Sequence, residues 1–198
     1  MIKKVSIILS MILIFSSCVK LKDVQQALIN MKKLKFKIEN IENFKLNNIN
    51  IQNKSSISDF SMQDGMKLLQ LYKSNKLPCD FTLNIAAINP NDGSTGSKST
   101  NLTITKIKLN LYIDDKPTIN GIISTPITIP SSGQKTIIPI GINLDLYDFF
   151  GNEGYEKVIN LALALGGVEG STSRVKIDIT PENSQNLVGC SNISQREI

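Results

Sequence analysis

The stretch Phe81-Thr-Leu-Asn-Ile-Ala-Ala-Ile-Asn-Pro-Asn91 decides the fold of this 198-residue chain. Apolar side chains recur at every second position from Phe81 to Ala87, which is the period of a β-strand. Pro90 has no N–H for a ladder hydrogen bond and holds Asn89 in an extended conformation. Asn91 tolerates a positive φ and can bond its own backbone in an Asx-turn. The stretch therefore predicts a strand with a sharp end.

The sequence on both sides of this strand shows the same period. Upstream, the alternation from Leu34 to Ile51 predicts two antiparallel strands joined near Glu42-Asn43. Downstream, the apolar positions change parity near Thr105-Lys106, which predicts a β-bulge there. Further strands are expected over residues 107–113, 119–123, 127–129, 138–146 and 175–179. Short strands separated by regular turns favour a mainly β fold, a single antiparallel β-sandwich.

Two segments with helical spacing predict one or two short helices in addition to the strands. Ser61 followed by Asp64 is typical of a helix N-cap, and this helix is expected to end at Asn75. Asn152 is expected to cap a second helix over residues 153–165, which Gly166-Gly167 would end. Val158, Leu161, Ala162 and Leu165 would form the buried face of the second helix.

A stripe of methionine and leucine marks one face of the first helix. Met62, Met66 and Leu69 share that face at helical spacing. Such a stripe is more often packed in a core than open as a ligand groove. We therefore expect these three side chains to be buried.

Composition restricts the chemistry that this protein can perform. The chain is 41% hydrophobic and 20% charged, contains no histidine and has three cysteines. These values are typical of one globular domain with a core. A histidine triad and a Cys/His zinc site are excluded, because three scattered cysteines cannot supply four ligands. We expect no cofactor and no metal site.

Positive charge is concentrated near the N-terminus. Residues 20–37 contain six lysines and one aspartate, a net charge of +5, whereas residues 38–198 have a net charge of −2. Binding to nucleic acid needs cations spread over a folded face, so it is not expected. The basic segment is instead suited to anionic lipid headgroups. The alternative is a basic edge that is merely solvated.

The first eighteen residues have the three-part layout of a secretion signal. Lys3 and Lys4 precede a mainly apolar run from Val5 to Phe15. The run spans about 16 Å as a helix, roughly half of a bilayer core, so it is too short to cross a membrane. Its ending, Ser16-Ser17-Cys18, resembles the lipobox of bacterial lipoproteins, with Phe15 in place of the usual leucine. This resemblance implies that Cys18 is lipidated; the alternative is a plain signal peptide that leaves Cys18 as a thiol.

The predicted organisation has four parts: a signal peptide over 1–17, a lipidated basic stalk over 18–31, a β-sandwich over 32–182 and a polar tail over 183–198. If Cys18 is acylated, Cys79 and Cys190 are the remaining candidates for a disulfide in an oxidising compartment. Such a bridge would attach the tail to the sandwich. The alternative is that Cys79 is a buried apolar residue beside Pro78.

Several motifs have the residue types of active sites without the spacing. The segment 93–100 is rich in glycine and serine, but Ser97 separates Gly96 from Lys98, so it does not match a phosphate-binding loop. The acid pairs Asp114/Asp115 and Asp145/Asp148 lack the glycine and glutamate spacing of a calcium loop. We expect solvated turn residues at these positions and no catalytic residues.

Three runs of the sequence resemble a known family. They are Phe81–Asn91, residues 108–114 and residues 127–140. Together they look like the water-stress-and-hypersensitive-response (WHy) domain of group-2 late-embryogenesis-abundant (LEA type 2) proteins and their bacterial lipoprotein relatives. The resemblance implies a fibronectin-type-III-like sandwich, no known catalytic residues and an association with stress protection. Asn89, Pro90 and Asn91 are its most specific element.

These patterns lead to two hypotheses about function. The first is a non-catalytic, lipid-anchored binding or scaffold module of the bacterial cell envelope, on the periplasmic or outer-membrane side. Its partners would be the membrane, through the lipid, and an envelope protein. The second is a stress-protective envelope protein that acts through weak, general contacts with membranes or unfolding proteins.

Overall fold

Antiparallel β-sheets form most of the structure, a computed structural model that describes residues 26, 28–94, 99–168 and 172–182. The predicted class, a mainly β antiparallel sandwich, is confirmed. The strands in the described residues are β1 (Lys35–Leu46), β2 (Ile49–Asn50), β3 (Pro78–Ile88), β4 (Leu102–Ile104), β5 (Lys106–Ile113), β6 (Lys116–Ile123), β7 (Ile127–Ile129), β8 (Lys135–Asp145) and β9 (Val175–Glu182).

The strands form two main sheets and a small ribbon. The larger sheet has the order β2-β1-β3-β8, and the second has the order β6-β5-β9. β4 pairs only with β7 among the described strands. Phe81, Leu83 and Ile85 of β3 are buried, as are Ile107 and its alternate neighbours on β5. They belong to one apolar cluster, because the inward faces of both sheets bury the same core.

The predicted turn near Glu42-Asn43 is wrong. β1 continues through these residues to Leu46, with register shifts against β3 between Ile38 and Asn40 and between Glu42 and Lys45. Asn43 takes a positive φ of 57° and forms an irregularity inside the strand. The reversal occurs at Asn47 and Asn48, with φ values of 43° and 66°, as a two-residue hairpin turn of the primed type requires.

The parity change near Thr105-Lys106 marks a move between sheets. Residues before Thr105 pair with β7 in the ribbon, and residues after it pair with β6 and β9. The Thr105 backbone N–H is not lost, because it donates to the Glu182 carbonyl at 2.9 Å. The predicted bulge is therefore a one-residue break at which the chain changes its pairing partners.

Both predicted helices are present, and two further short helical segments accompany them. The first predicted helix is α1 (Met62–Lys73), where the Asp64 backbone N–H donates to the Ser61 hydroxyl at 3.1 Å, as expected of a cap. A short α2 (Leu146–Phe150) follows β8 directly, and α3 (Tyr155–Gly166) is the second predicted helix. A further α-helical segment contains Gln26 and residues 28–32, in which Asn30 and Met31 are buried against the sandwich. Three 3₁₀ turns complete the helical residues of the described chain: Ile57–Asp59, Gly151–Glu153 and Thr172–Arg174.

The predicted cap of the second helix is wrong, whereas its predicted buried face is confirmed. Asn152 lies in the 3₁₀ turn Gly151–Glu153, and Gly154 occupies the N-cap of α3 with a φ of 97°. Val158, Leu161, Ala162 and Leu165 are all buried, together with Ile159 and Leu163. Since apolar residues surround most of α3, this helix is part of the core rather than a surface helix.

Candidate functional site

The Asn89-Pro90-Asn91 motif lies directly after β3, which ends at Ile88 as predicted. Asn89 is 0% exposed and Asn91 is 1% exposed, so these polar side chains are inside the protein. Buried amides are stable only when hydrogen bonds replace the water they have lost. Their hydrogen-bond partners therefore show what the motif does.

Asn89 connects three segments at this end of the sandwich. Its Nδ2 donates to the carbonyl of Thr100 at 2.9 Å, just before β4, and to the carbonyl of Ile129 at 3.1 Å, at the end of β7. Its Oδ1 accepts from the backbone N–H of Asn91 at 3.0 Å. The Asx-turn is thus formed by Asn89, and the prediction that Asn91 would form it with a positive φ is wrong.

Asn91 attaches the N-terminal helical segment to the same cluster. Its Nδ2 donates to the Asn30 carbonyl at 3.0 Å and to the Asn89 Oδ1 at 2.8 Å. The Asn30 side chain is 1% exposed and accepts from Gln26 Nε2 at 3.0 Å. The asparagine cluster, Asn30, Asn89 and Asn91, therefore fastens residues 28–32 to the ends of β3 and β7. Asn30 had no sequence signal, because its contact with Asn91 spans 61 positions.

Cys79 is the second residue of β3, an inner strand of the larger sheet, and is 1% exposed. It pairs with Leu46 of β1 and Leu144 of β8. Burial, followed by the nearby charges of Asp80 and Asp145, raises the pKa of its thiol to about 12. These properties match the alternative in which Cys79 is a buried apolar residue. Cys18 and Cys190 lie outside the described residues, so lipidation and the disulfide stay predictions.

The two acid pairs do not form a shared site. Asp114 and Asp115 occupy a tight turn with φ values of 47° and 62°, where they form ion pairs with Arg174 at 3.4 Å and Lys176 at 2.6 Å. These contacts join the β5–β6 turn to β9 and to the 3₁₀ turn that precedes it. The carboxylates therefore act as turn and ion-pair residues of the second sheet.

The second acid pair is divided between two structural roles. Asp145 accepts from the backbone N–H groups of Leu77 at 2.6 Å and Tyr147 at 3.0 Å, so it caps α2 and joins it to the start of β3. Asp148 is exposed. In the part of the chain that the structure describes, no group of three or more acids or cysteines could hold a metal ion.

The glycine- and serine-rich segment is described only at its two ends. Asp92 accepts from the Ser94 hydroxyl at 2.6 Å and from its backbone N–H at 2.9 Å, and these bonds lower the pKa of the Asp92 carboxyl. Residues 95–98 lie outside the described residues. The described part thus forms a local turn after the asparagine cluster.

The predicted burial of the Met62, Met66 and Leu69 stripe is wrong. Met62 is 84% exposed, Met66 is 66% exposed and Leu69 is 38% exposed. The opposite side of α1 packs instead: Leu68 is fully buried, and the Tyr72 hydroxyl donates to the Gly151 carbonyl. The Tyr72 ring also meets the rings of Tyr147 and Tyr155 edge-on. The helix therefore presents an apolar stripe to solvent.

No protein-family model, no curated protein and no solved structure matches this chain. Within the described residues, no helix is long and apolar enough to span a bilayer.

Proposed function

We propose that this protein is a non-catalytic, lipid-anchored binding or scaffold module of the bacterial cell envelope, on the periplasmic or outer-membrane side. The observation that carries the proposal is the placement of Cys18 after a basic start, a short apolar run and two serines. Eight residues further along, Gln26 is the first described residue of the helical segment, which is fastened to the sandwich through Asn30.

The basic segment supports a position close to a membrane. Lys32, Lys33, Lys35 and Lys37 are exposed at the junction between the N-terminal helical segment and β1. Of these four, only Lys37 has an ion pair among the described residues, a 3.3 Å contact with Glu39. Unpaired lysines near a lipid anchor attract anionic headgroups, at about 1 kcal/mol per lysine close to the surface.

The larger sheet provides a surface for an envelope protein. β8 has eleven residues and lies at the edge of this sheet, so its outer backbone groups have no strand partner among the described residues. Pro139 in the middle of β8 cannot donate, which limits the length of strand that a partner could add. We propose this edge and the adjoining sheet faces as the binding or scaffold surface.

Acylation at Cys18 is the first test of the proposal. Cells grown with an alkyne analogue of palmitate should incorporate label into the wild-type protein, which should stay in the membrane fraction. Cys18→Ser should lose the label and leave that fraction, whereas Ser17→Ala should retain both properties. Label and membrane retention in Cys18→Ser would show that the cysteine is not the anchor.

The second candidate is a stress-protective envelope protein, which the resemblance to the WHy domain favours. Crosslinking in intact cells separates the two candidates. One partner recovered at constant stoichiometry supports the binding module. Suppression of aggregation of an unfolding test protein, with no such partner, supports stress protection through general contacts.

A further inference from the structure

We propose that the exposed face of α1 docks on an anionic lipid bilayer, with the helix parallel to the membrane surface. This outer face consists of Met62, Met66, Leu69 and Lys73, which recur at intervals of three or four residues. The proposal adds a second membrane contact to the lipid anchor proposed above, and it relies on that anchor only to bring the domain near a bilayer.

The apolar part of the face consists of three exposed side chains, Met62, Met66 and Leu69. Met62 and Met66 are among the most exposed large apolar side chains in the described residues, and Leu69 continues their line. Leu68, on the other side of α1, is fully buried. The helix therefore has two apolar sides, one packed against the domain and one exposed to solvent among the described residues. Methionine is flexible and polarisable, which suits it to an irregular and changing surface.

The charges around this face fit an anionic surface. Lys67, Lys73 and Lys76 are exposed, and none of them takes part in an ion pair between described residues. Two carboxylates lie close to the N-terminus of α1, and each of them accepts a hydrogen bond from a serine of a helix cap. Asp59 accepts from Ser55 at 2.7 Å, and Asp64 accepts from the Ser61 hydroxyl at 2.8 Å. Apolar side chains flanked by lysines are typical of interfacial helices.

A second copy of this chain fits the face less well. A stable protein interface buries roughly 800 Å² on each partner, with about 20–30 residues a side. Three apolar side chains on one helix fall far short of that size. Pairing two copies of α1 would also bring unpaired lysines of the same sign together, which opposes association. A bilayer requires neither a matching shape nor a matching area.

The position of α1 is compatible with the anchor. Asn30 lies at the end of β3 that carries Ile88, whereas α1 precedes the end that carries Pro78. Eleven strand residues make this distance about 36 Å. Gln26 is already helical and donates to Asn30, so the eight residues from Cys18 to Gln26 can span at most about 26–29 Å, which is less than the length of β3. The lipid and α1 can therefore reach the same bilayer only when the sandwich lies along the membrane.

A fluorescent depth probe tests the contact. In a Cys190→Ser background, Met66→Cys is labelled with an environment-sensitive dye, and the acylated chain is reconstituted in vesicles containing 30% phosphatidylglycerol. Ile122→Cys on β6 is the matched control, because Ile122 is 61% exposed and Met66 is 66% exposed. We expect lipids with a quencher near the headgroup to quench the dye at position 66 several-fold more than the dye at position 122.

The lysines are tested with the non-acylated Cys18→Ser chain. Its affinity for the same vesicles should fall on the order of tenfold or more in Lys67→Gln/Lys73→Gln/Lys76→Gln. In vesicles of pure phosphatidylcholine it should fall further, because the lysines of the N-terminal basic segment then also lose their anionic partners. Because this chain has no lipid, the result does not depend on whether Cys18 is acylated. Equal quenching at positions 66 and 122 would overturn the proposal, as would protection of position 66 by a protein partner without vesicles.

Discussion

A methyl group added to Gly166 would lie 2.2 Å from the Cβ atom of Phe44, so the last turn of α3 touches β1 where only glycine fits. Phe44 is 0% exposed, and its ring stacks on that of Phe81 with centroids 5.0 Å apart. The neighbouring ring prevents Phe44 from moving aside. This contact joins α3 to the centre of the larger sheet.

We expect Gly166→Ala to lower the free energy of unfolding by about 1–3 kcal/mol, because the added methyl overpacks the contact with Phe44. Gly65→Ala in α1 is the matched control, since nothing lies within 4 Å of a Cβ at Gly65. The control should be neutral or gain up to about 1 kcal/mol from helix propensity. Urea denaturation of both variants measures the difference. Equal stability of the two variants would contradict the close contact.

Asn89→Ala should destabilise the fold by about 2–4 kcal/mol, because it removes the donor to the buried Ile129 carbonyl and the acceptor of the buried Asn91 N–H. Asn120→Ala provides the comparison, since Asn120 is exposed and donates only to Asn110 Oδ1 at 2.7 Å among the described residues. That change should cost less than about 0.5 kcal/mol. The melting temperatures of the two variants measure this difference, and equal melting temperatures would contradict the structural role of Asn89.

Pro90→Ala should cost about 1–2 kcal/mol, because it frees the backbone of the unfolded chain and lets the strand end slip. Any envelope partner identified by crosslinking should still bind to the folded fraction. The measurements are a melting temperature and a partner pull-down on the same sample. An unchanged melting temperature with loss of the partner would make the motif a binding site instead.

Cys79 should make the fold sensitive to alkaline pH. The ordinary pKa of a cysteine thiol is 9.0, and burial raises the pKa of the Cys79 thiol to about 12. Folding therefore favours the protonated form. The contribution of this buried thiol to the free energy of unfolding is fully present below pH 9, and it is lost as pH rises toward 12, at about 1.4 kcal/mol per pH unit. Between pH 8 and pH 10, the wild type should therefore lose about 1.4 kcal/mol more than Cys79→Val.

The same burial predicts slow chemistry at Cys79. Alkylation of the native protein at pH 8 should leave Cys79 unmodified, and alkylation in denaturant should modify it, because a buried protonated thiol is a poor nucleophile. Mass mapping of the non-reduced mature protein tests the predicted disulfide. A linked Cys79–Cys190 peptide would show that the tail reaches the start of β3.

The asparagines have different structural roles at different positions, and the sequence predicted only some of these roles. The end of β3 followed from Pro90 alone. The turn at Asn47-Asn48 was missed, because Asn43 has the same tolerance of positive φ and lies at a polar break in the pattern. β1 continues past Asn43 because its ladder to β3 resumes at Lys45 and Asp80. Long-range pairing of this kind leaves no local signal.

The periodicity of the apolar residues by itself determined the mainly β class, the antiparallel sandwich and the two main helices, because alternation and helical spacing are local properties of the chain. It could not choose between the two stripes of α1. Met66 and Leu68 are both apolar and lie on different sides of one helix. The tertiary structure decided that Leu68 is buried, since Tyr72 reaches the Gly151 carbonyl from that side and packs between the rings of Tyr147 and Tyr155. A hydrogen bond across 79 positions fixed the orientation of the helix and left its methionines in solvent.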